Sequence, residues 1–301
     1  MEQYDVIIIG AGPAGLNAAL YSARAGLKTL VLEKMFAGGQ AATTSEVDNF
    51  IGTGKIGGAE LCMRMEKQAK SFGAEIKYED VTSLDSAKKE VSTKKNTYGA
   101  KAIILAMGAS PRKLGIDGEE KYRGRGVSYC ATCDGGFFKD KTACVIGGGD
   151  TAAEDALYLS NICKKVYIIH RRDKFRAAAS ITEKLYKNEK IEIVLNTVPE
   201  KISGGGTVEN LTVKNVKTGE KTDILTDAVF VAVGNIPSSS LAVGTLKTDE
   251  NGYIIVDKNM RTSEKNIYAA GDVCQKTLRQ IITACADGAV AATSAAGDIM
   301  E

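Results

Sequence analysis

The sequence predicts an α/β fold, because a strand, a glycine-rich turn and a helix occur twice in the same order. A β-branched run at residues 5–9 leads into the turn Gly-Ala-Gly-Pro-Ala-Gly at residues 10–15 and an alanine-rich stretch to residue 25. The same order returns between residues 142 and 161, where the turn reads Gly-Gly-Gly-Asp-Thr-Ala. Glycines at these positions let backbone N–H groups approach a pyrophosphate at the helix N-terminus. Both units are therefore predicted to bind a dinucleotide.

Each unit continues into a second strand whose end indicates the nucleotide. The strand at residues 28–33 ends at Glu33, and the strand at residues 165–169 is followed by His170 at the same distance from the first loop glycine. A carboxylate there accepts hydrogen bonds from a ribose hydroxyl, whereas arginines favour a 2′-phosphate. We interpret the first site as FAD or NAD and the second as NADP(H), because three arginines follow His170: Arg171, Arg172 and Arg176. The alternatives are a solvated basic face for the arginines and a packing or strand-capping role for His170.

The remaining segments predict an interrupted first domain. Apolar runs at residues 101–109 and 228–234 predict one more buried strand in each unit. Polar stretches at residues 78–99 and 191–225 predict small antiparallel excursions. Turn residues cluster at residues 111–118 and 237–248, and we expect the chain to cross between the domains there.

Between the two loops lies Cys130-Ala-Thr-Cys133-Asp134, a spacing that predicts a redox-active dithiol. Half a zinc site and two packed cysteines are the alternatives. A zinc site needs four ligands, yet the single histidine lies elsewhere and the other cysteines form no second close pair. We therefore predict no metal site. These other cysteines are Cys62, Cys144, Cys163, Cys274 and Cys285.

Composition narrows the function classes. A net charge of +2 and the absence of tryptophan argue against nucleic acid or an anionic membrane as the main partner. Seven cysteines at irregular spacing are unlike a secreted disulfide framework. The N-terminus carries acids where a signal peptide would carry bases, and no apolar run reaches the ~18 residues of a membrane helix. We expect a cytoplasmic protein.

The motifs together are more specific than any one of them. To the two loops, the dithiol and the arginines are added Gly38-Gly39-Gln40, Gly271-Asp272-Val273 and Arg279-Gln280. In this order and spacing the chain resembles, nearly end to end, the low-molecular-weight (bacterial-type) NADPH-dependent thioredoxin reductases. The resemblance implies two Rossmann-like three-layer domains, with an NADPH domain at residues 113–240 inserted in a discontinuous FAD domain at residues 1–112 and 241–301.

The resemblance also implies site residues for both cofactors. The FAD residues are Gly10, Gly12, Pro13, Ala14, Gly15, Glu33, Lys34, Gly39, Gln40, Asn49, Gly108, Ala109, Gly271, Asp272, Arg279 and Gln280. The NADPH residues are Gly147, Gly149, Asp150, Thr151, His170, Arg171, Arg172 and Arg176. The N-terminus of the last, alanine-rich helix is expected near the flavin ring, although its small residues would also permit tight helix packing.

The implied mechanism passes a hydride from NADPH to the flavin and an electron pair to the dithiol. Cys133 would face the flavin, and Cys130 would attack thioredoxin or a thioredoxin-like protein. Asp134 would be the general acid–base, which fits a chain whose only histidine belongs to the NADPH unit; capping a turn is the alternative. The resemblance further implies a homodimer and a rotation of the NADPH domain about the two crossings.

Three departures from the family pattern are Met107 in place of threonine, Ile51 in place of proline, and an end at Glu301 without a longer tail. Competing functions are a reductase supplied by ferredoxin or another flavin, and a non-catalytic redox or NADP(H) sensor. The dithiol argues against a ferredoxin–NADP reductase, and a hydroperoxide reductase component would need an extra N-terminal dithiol domain.

Overall fold

The structure is a computed structural model that describes residues 1–44 and 46–300, and it divides into two compact units. The first unit consists of Met1–Ser110 and Ile236–Glu301, and the second is the inserted segment Pro111–Asn235. The chain thus enters and leaves the second unit just before the predicted boundaries at residues 112 and 240. None of the described helices has the length and apolar character to span a membrane.

The β-strands of the described residues are, in chain order, β1 Glu2–Ile9, β2 Thr29–Glu33, β3 Glu75–Tyr78, β4 Val81–Asp85, β5 Glu90–Thr93, β6 Thr97–Leu105, β7 Ala109–Pro111, β8 Val127–Ser128, β9 Thr142–Gly147, β10 Lys165–Ile169, β11 Ile191–Val194, β12 Thr197–Ser203, β13 Asn210–Asn215, β14 Lys221–Leu225, β15 Ala228–Ala232, β16 Asn235–Pro237 and β17 Ile267–Ala269. The α-helices are α1 Pro13–Arg24, α2 Gly58–Ser71, α3 Ala131–Asp134, α4 Asp150–Ser160, α5 Ala179–Lys187 and α6 Ile281–Met300.

The first unit is built on a sheet in the order β3-β2-β1-β6-β5-β4. Strands β3, β2, β1 and β6 are parallel, and β5 and β4 extend the sheet as an antiparallel hairpin. The far edge of β6 is shared, since its start pairs with β5 and its end pairs in parallel with β17. Strand β17 comes from the C-terminal part of the chain, so both ends of the sequence are needed to complete this sheet.

Both faces of the central strands are buried, as expected for parallel strands with apolar runs. On one face Val6, Ile8 and Ile104 pack with α1, α2 and α6, and on the other Ile7, Ile9 and Ile103 pack with residues of the 242–274 segment. Helices α1 and α6 approach very closely. A Cβ on Gly288 of α6 would lie 2.1 Å from the carbonyl oxygen of Ala14. The small residues of α6 therefore serve close helix packing.

The second unit repeats the arrangement with a parallel sheet in the order β11-β10-β9-β15-β8. Helices α4 and α5 cover one face, where Leu159 and Leu185 pack against Val145 and Ile168. The other face is covered by the antiparallel sheet β12-β13-β14, which supplies Leu211 among other residues. The predicted fold class is confirmed: two three-layer dinucleotide-binding units, one inserted in the other.

Two predicted elements are wrong in detail. The run at residues 101–109 is not one strand, because β6 ends at Leu105 and Gly108 adopts a φ of +70°. Positive φ suits glycine, and β6 has already ended three residues before this position. The stretch at residues 191–225 is not wholly an antiparallel excursion. Residues Ile191–Val194 form β11 of the parallel sheet, because their apolar side chains fit beside β10, and the antiparallel strands begin at Thr197.

A charged cluster fastens the C-terminal end of α6. The Arg261 guanidinium donates from Nε and Nη2 to the two carboxylate oxygens of Asp298 at 2.8 Å each. The Tyr268 hydroxyl donates to Asp298 Oδ2 at 2.5 Å, and the tyrosine is fully buried. The Arg261 and Tyr268 hydrogen bonds lower the pKa of Asp298 from its ordinary value of 3.8 to about 2.

Replacing Asp298 should destabilise the first unit. We expect Asp298→Ala to cost about 1–3 kcal/mol at neutral pH, because the buried Tyr268 hydroxyl loses its acceptor. The folded pKa lies below the unfolded one, so this contribution is present above pH ~4 and disappears as the pH falls toward ~2. Urea unfolding at several pH values measures it. In a Tyr268→Phe background the same substitution should cost less; an equal cost would contradict the assignment to the hydroxyl.

Candidate active site

Cys130 and Cys133 form a disulfide in the second unit, with their Cα atoms 5.3 Å apart. Strand β8 ends two residues before Cys130, and the short helix α3 begins immediately after it. Neither cysteine is fully buried, and Thr132 between them is exposed. The pair is thus an oxidised dithiol that solvent can reach.

Asp134 lies beside this disulfide and is held by a side chain that the sequence analysis did not single out. The hydroxyl of Ser128 donates to Asp134 Oδ2 at 2.6 Å and accepts the backbone N–H of Cys130 at 3.1 Å. Burial raises the pKa of Asp134, and the Ser128 hydrogen bond opposes that rise. The carboxyl group therefore takes up a proton at a higher pH than a solvated aspartate does.

The other five cysteines are shielded free thiols. All of them are buried, and burial raises the pKa of Cys144 and Cys274 to about 12 and that of Cys62, Cys163 and Cys285 to about 11. No group of three or more potential metal ligands occurs among the described residues. The exchangeable sulfur chemistry of the described chain is therefore confined to the Cys130–Cys133 pair.

The first glycine loop joins β1 to α1 and is shaped by contacts that exclude side chains. Gly10 has a φ of +101°, and a Cβ there would lie 2.5 Å from the carbonyl oxygen of Ala106. A Cβ on Gly15 would lie 1.8 Å from the Gly10 carbonyl oxygen. Gly12 differs: its backbone is extended, and a Cβ there would meet no described atom within 4 Å. No contact among the described residues requires glycine at position 12, and this points to a ligand.

The first turn of α1 is suited to an anion. Its N-cap, Gly12, offers no side-chain hydrogen bond, and Pro13 occupies the start of the helix with Ala14 and Gly15 behind it. The N–H groups of such an uncapped first turn and the helix dipole favour a phosphate. The Glu33 carboxylate lies at this loop, where it accepts the backbone N–H groups of Ala11 at 2.8 Å and Met35 at 3.1 Å.

Four other predicted FAD residues of the first unit are hydrogen-bonded to one another in two pairs. The side-chain amide of Gln40, in the 3-10 helix Gly39–Thr43, donates to the carbonyl oxygen of Ala109, next to Gly108. The Asn49 amide donates to the side-chain oxygen of Gln280 at 3.0 Å. Lys34 instead points outward and pairs with Asp80 at 3.3 Å. Its role in FAD binding stays a prediction.

The turn at Gly271 and Asp272 carries a second feature that suits a ligand. Asp272 Oδ1 and Arg279 Nε are both buried and have no hydrogen-bond partner among the described residues. Buried polar atoms are normally satisfied. A ligand that carries hydroxyls and a polar ring, as FAD does, would supply partners for both, so the residues of the first unit fit this cofactor.

The second glycine loop joins β9 to α4 and has the same arrangement, with one crowded glycine and one open glycine. A Cβ on Gly147 would lie 2.4 Å from the Ala232 carbonyl oxygen, whereas Gly149, the N-cap of α4, has extended backbone and no described atom within 4 Å of its Cβ position. Asp150 begins the helix, and its carboxylate accepts the Ala178 N–H at 2.8 Å. Thr151 follows and is exposed. An open N-terminal turn again suits a pyrophosphate.

His170 is an internal packing residue in this structure. It is buried at 6% exposure, stacks on Phe175 at 5.5 Å between ring centroids and bonds the Lys174 carbonyl oxygen at 3.1 Å. A Cβ on Gly148 would lie 2.0 Å from His170 Nδ1, which explains the middle glycine of the loop. Burial lowers the pKa of His170; the hydrogen bond to the Lys174 carbonyl opposes that fall, and three nearby arginines add to it.

The three arginines remain available to a ligand. Arg171, Arg172 and Arg176 are exposed and form no ion pair with any described carboxylate. The Arg176 backbone N–H donates to the Gly148 carbonyl oxygen at 2.7 Å, which ties the arginine segment to the glycine loop. The structure therefore brings the second loop and the basic segment together, as a site for a 2′-phosphorylated dinucleotide requires.

Comparison with known proteins gives the family. Residues 4–288 match the pyridine nucleotide-disulphide oxidoreductase family. A thioredoxin reductase of Peptoclostridium litorale is 50% identical over 301 residues, covering 97% of this chain and 96% of that protein. The chain belongs to the thioredoxin reductase family.

Solved structures agree with this membership. A thioredoxin reductase from Streptococcus pyogenes has a TM-score of 0.93 and 42% identity, covering 99% of this reductase and 98% of that chain. A ferredoxin-flavin thioredoxin reductase from Clostridium acetobutylicum is less similar, with a TM-score of 0.54 and 32% identity over 100% of this chain and 99% of that one. The reductase is FAD-containing and NADPH-dependent by family, and its two glycine loops suit that pair of cofactors.

Two departures from the family pattern lie away from the disulfide of this reductase in the sequence. Met107 packs against the buried core of the first unit, and Ile51 is 87% exposed.

The sequence analysis missed Ser128. The signal that could have revealed it is its place two residues before Cys130 in an extended segment, where alternate side chains share a face. It also missed Lys276 and Asp287, which join in an ion pair at 2.5 Å.

Substitutions at the two open glycines, Gly12 and Gly149, should affect the binding of one cofactor each. We expect Gly12→Ala to weaken FAD binding and Gly149→Ala to raise the KM for NADPH, each by about tenfold or more, because the added methyl group occupies the space where the backbone meets a pyrophosphate. Both positions have ordinary φ values, so unfolding midpoints should change little. Flavin release and steady-state kinetics measure the two effects. A loss of FAD in Gly149→Ala would contradict the assignment.

Proposed function

We propose that this protein reduces the disulfide of thioredoxin with electrons from NADPH, through FAD and the Cys130/Cys133 dithiol. The observation that carries the proposal is the solvent-reachable disulfide in the unit that also holds the arginine-marked glycine loop. When bound, FAD and NADPH supply hydride transfer and the electron pair that opens a disulfide. All remaining steps belong to side chains of this chain.

Binding and orientation come from the loops. The first-turn N–H groups of α1 and α4 would hold the two pyrophosphates, with Asp272 and Arg279 completing the FAD site. Arg171, Arg172 and Arg176 would neutralise the 2′-phosphate of NADPH. Glu33 would exchange its contact with the Ala11 N–H for a ribose hydroxyl.

Once the dithiol is reduced, the two cysteines take different parts. The Cys130 thiolate attacks one sulfur of the thioredoxin disulfide, which forms a mixed disulfide and releases the other thioredoxin sulfur as a thiolate. The Cys133 thiolate then attacks Cys130 Sγ, so that the Cys130–Cys133 disulfide forms again and thioredoxin leaves reduced. Two electrons and two protons pass to thioredoxin in each cycle.

Asp134 would supply and accept protons in these exchanges. It lies one residue beyond Cys133, and burial raises its pKa, so a larger fraction of its carboxyl groups holds a proton than in a solvated aspartate. Ser128 fixes the carboxyl through the 2.6 Å hydrogen bond. His170 is not available as the proton donor, because it is buried and packs beside the second glycine loop.

Two other functions are weaker. A ferredoxin-supplied or flavin-supplied reductase would have no use for three exposed arginines tied to an open glycine loop. A non-catalytic redox or NADP(H) sensor would share both nucleotide sites but would not transfer electrons rapidly to a protein disulfide.

We further propose that the reductase is a cytoplasmic homodimer, which its family resemblance and its five free thiols support. Light scattering of the purified holoprotein tests the dimer.

Anaerobic flavin reduction tests the function directly. NADPH should bleach the flavin of the purified protein rapidly and NADH slowly, and added thioredoxin should reoxidise it. Arg171→Ala/Arg172→Ala should raise the KM for NADPH by about 10²-fold while changing that for NADH little, because each 2′-phosphate contact is charge-assisted. In Cys130→Ser, reduction by NADPH should persist while thioredoxin turnover stops.

The matched control is Cys163→Ser, which alters a buried free thiol of the same unit and should keep turnover. Preference for NADH in the unaltered protein would contradict the arginine assignment. Undiminished turnover in Cys130→Ser would contradict the dithiol assignment.

The role of Asp134 is tested by Asp134→Asn, which keeps an acceptor for the Ser128 hydroxyl. We expect kcat for thioredoxin reduction to fall about 10²-fold, because general acid–base groups typically contribute 10²–10⁴-fold. Flavin content and the rate of flavin reduction by NADPH should remain unchanged in stopped-flow absorbance. A turn-capping role alone would leave kcat near its original value.

A further inference from the structure

The ion pair between Lys276 and Asp287 is unusually buried. Lys276 Nζ lies 2.5 Å from Asp287 Oδ2, with side-chain exposures of 15% and 17%. In every other ion pair between described residues one partner is at least 40% exposed. Exposed pairs contribute little, whereas the removal of one partner from a buried pair leaves an uncompensated charge at high cost.

Asp287 has a second contact that links this pair to the FAD site. Its Oδ2 also accepts the backbone N–H of Gly271 at 3.0 Å. Gly271 has a φ of +79°, and a Cβ there would lie 2.8 Å from the Cβ of Ala14 in the first glycine loop. The carboxylate on α6 therefore holds a tight turn between the first loop and Asp272.

Two more charged groups complete a balanced set of four. Asp272 Oδ1 and Arg279 Nε are buried and lack partners in the described chain, and the Arg279 guanidinium lies 4.2 Å from the centroid of the Tyr253 ring. Burial raises the pKa of Asp272; Lys276 and Arg279 oppose that rise, and Asp287 adds to it. The four charges therefore act on one another. Lys276 and Asp287 pair with each other, whereas Asp272 and Arg279 each keep a buried polar atom that can bind a ligand.

We propose that Lys276 and Asp287 form a positioning pair for FAD: Asp287 fixes the Gly271 turn, and Lys276 cancels the charge that Asp287 would otherwise bring to an anionic cofactor. The proposal rests on FAD occupying the first unit. The asymmetry between the partners follows from the sign of the ligand. Loss of the cation leaves a buried carboxylate beside a diphosphate-bearing cofactor, while loss of the anion leaves a cation that the cofactor tolerates.

The experiment measures FAD dissociation from the purified holoprotein by the recovery of flavin fluorescence on dilution. Lys276→Gln should raise the Kd for FAD by about tenfold or more. Asp287→Asn keeps an acceptor for the Gly271 N–H and should leave the Kd within about threefold of the original. The double variant Lys276→Gln/Asp287→Asn should recover the affinity lost in Lys276→Gln, and Lys276→Arg should keep it.

Controls separate this effect from general damage. Arg64→Gln and Glu60→Gln, which break an exposed pair on α2 of the same unit, should leave the Kd unchanged. Circular dichroism melts of each variant report folding. If both single variants weaken FAD equally, or if the double variant is as weak as Lys276→Gln, the pair is only structural and the proposal is overturned. FAD release needs neither NADPH nor thioredoxin, so failure here is distinct from failure of the proposed function.

Discussion

Parallel pairing of a central strand, buried along most of its length, with its two neighbours is the constraint on which both glycine loops depend. Strand β1 lies between β2 and β6, and β9 lies between β10 and β15. Parallel strands end at the same edge of a sheet, so each glycine loop, the following helix N-terminus and the end of the next strand meet there. Glu33 and His170 occupy equivalent places for this reason. The residues at and after these places differ in charge: a carboxylate stands in the first unit, whereas three exposed arginines follow a buried histidine in the second.

The same geometry explains what the sequence could predict. Loop glycines, the strands before them and the basic segment are local patterns with a fixed spacing, and the structure places them together. The internal packing of His170 was an open alternative, because its surroundings include Phe175 and Gly148 and only folding determines how such side chains stack. The assignment of residues 191–194 failed because a short apolar run does not reveal whether its partner strand is parallel or antiparallel.

Long-range polar contacts were beyond prediction for a physical reason. Asp287 sits in α6, whose residues Ile281–Met300 include no lysine, arginine or histidine, and its contacts with Gly271 and Lys276 exist only because α6 packs against the turn. Likewise, Tyr268 and Asp298 are thirty positions apart and meet where the last strand and the last helix cross. Such contacts depend on packing distances that no sequence spacing encodes.

The burial of five thiols limits which sulfur atoms of this protein can react with other thiols, oxidants and electrophiles. A dithiol that alternates between oxidised and reduced forms many times is exposed to scrambling, in which a neighbouring thiol of the same chain captures the disulfide and traps it in a wrong pairing. Cys62, Cys144, Cys163, Cys274 and Cys285 are buried, with pKa values raised by desolvation, so the nucleophilic thiolate is scarce at all of them. Thiol-directed oxidants and electrophiles should therefore meet a single vulnerable place, and that place becomes vulnerable only after the protein has been reduced.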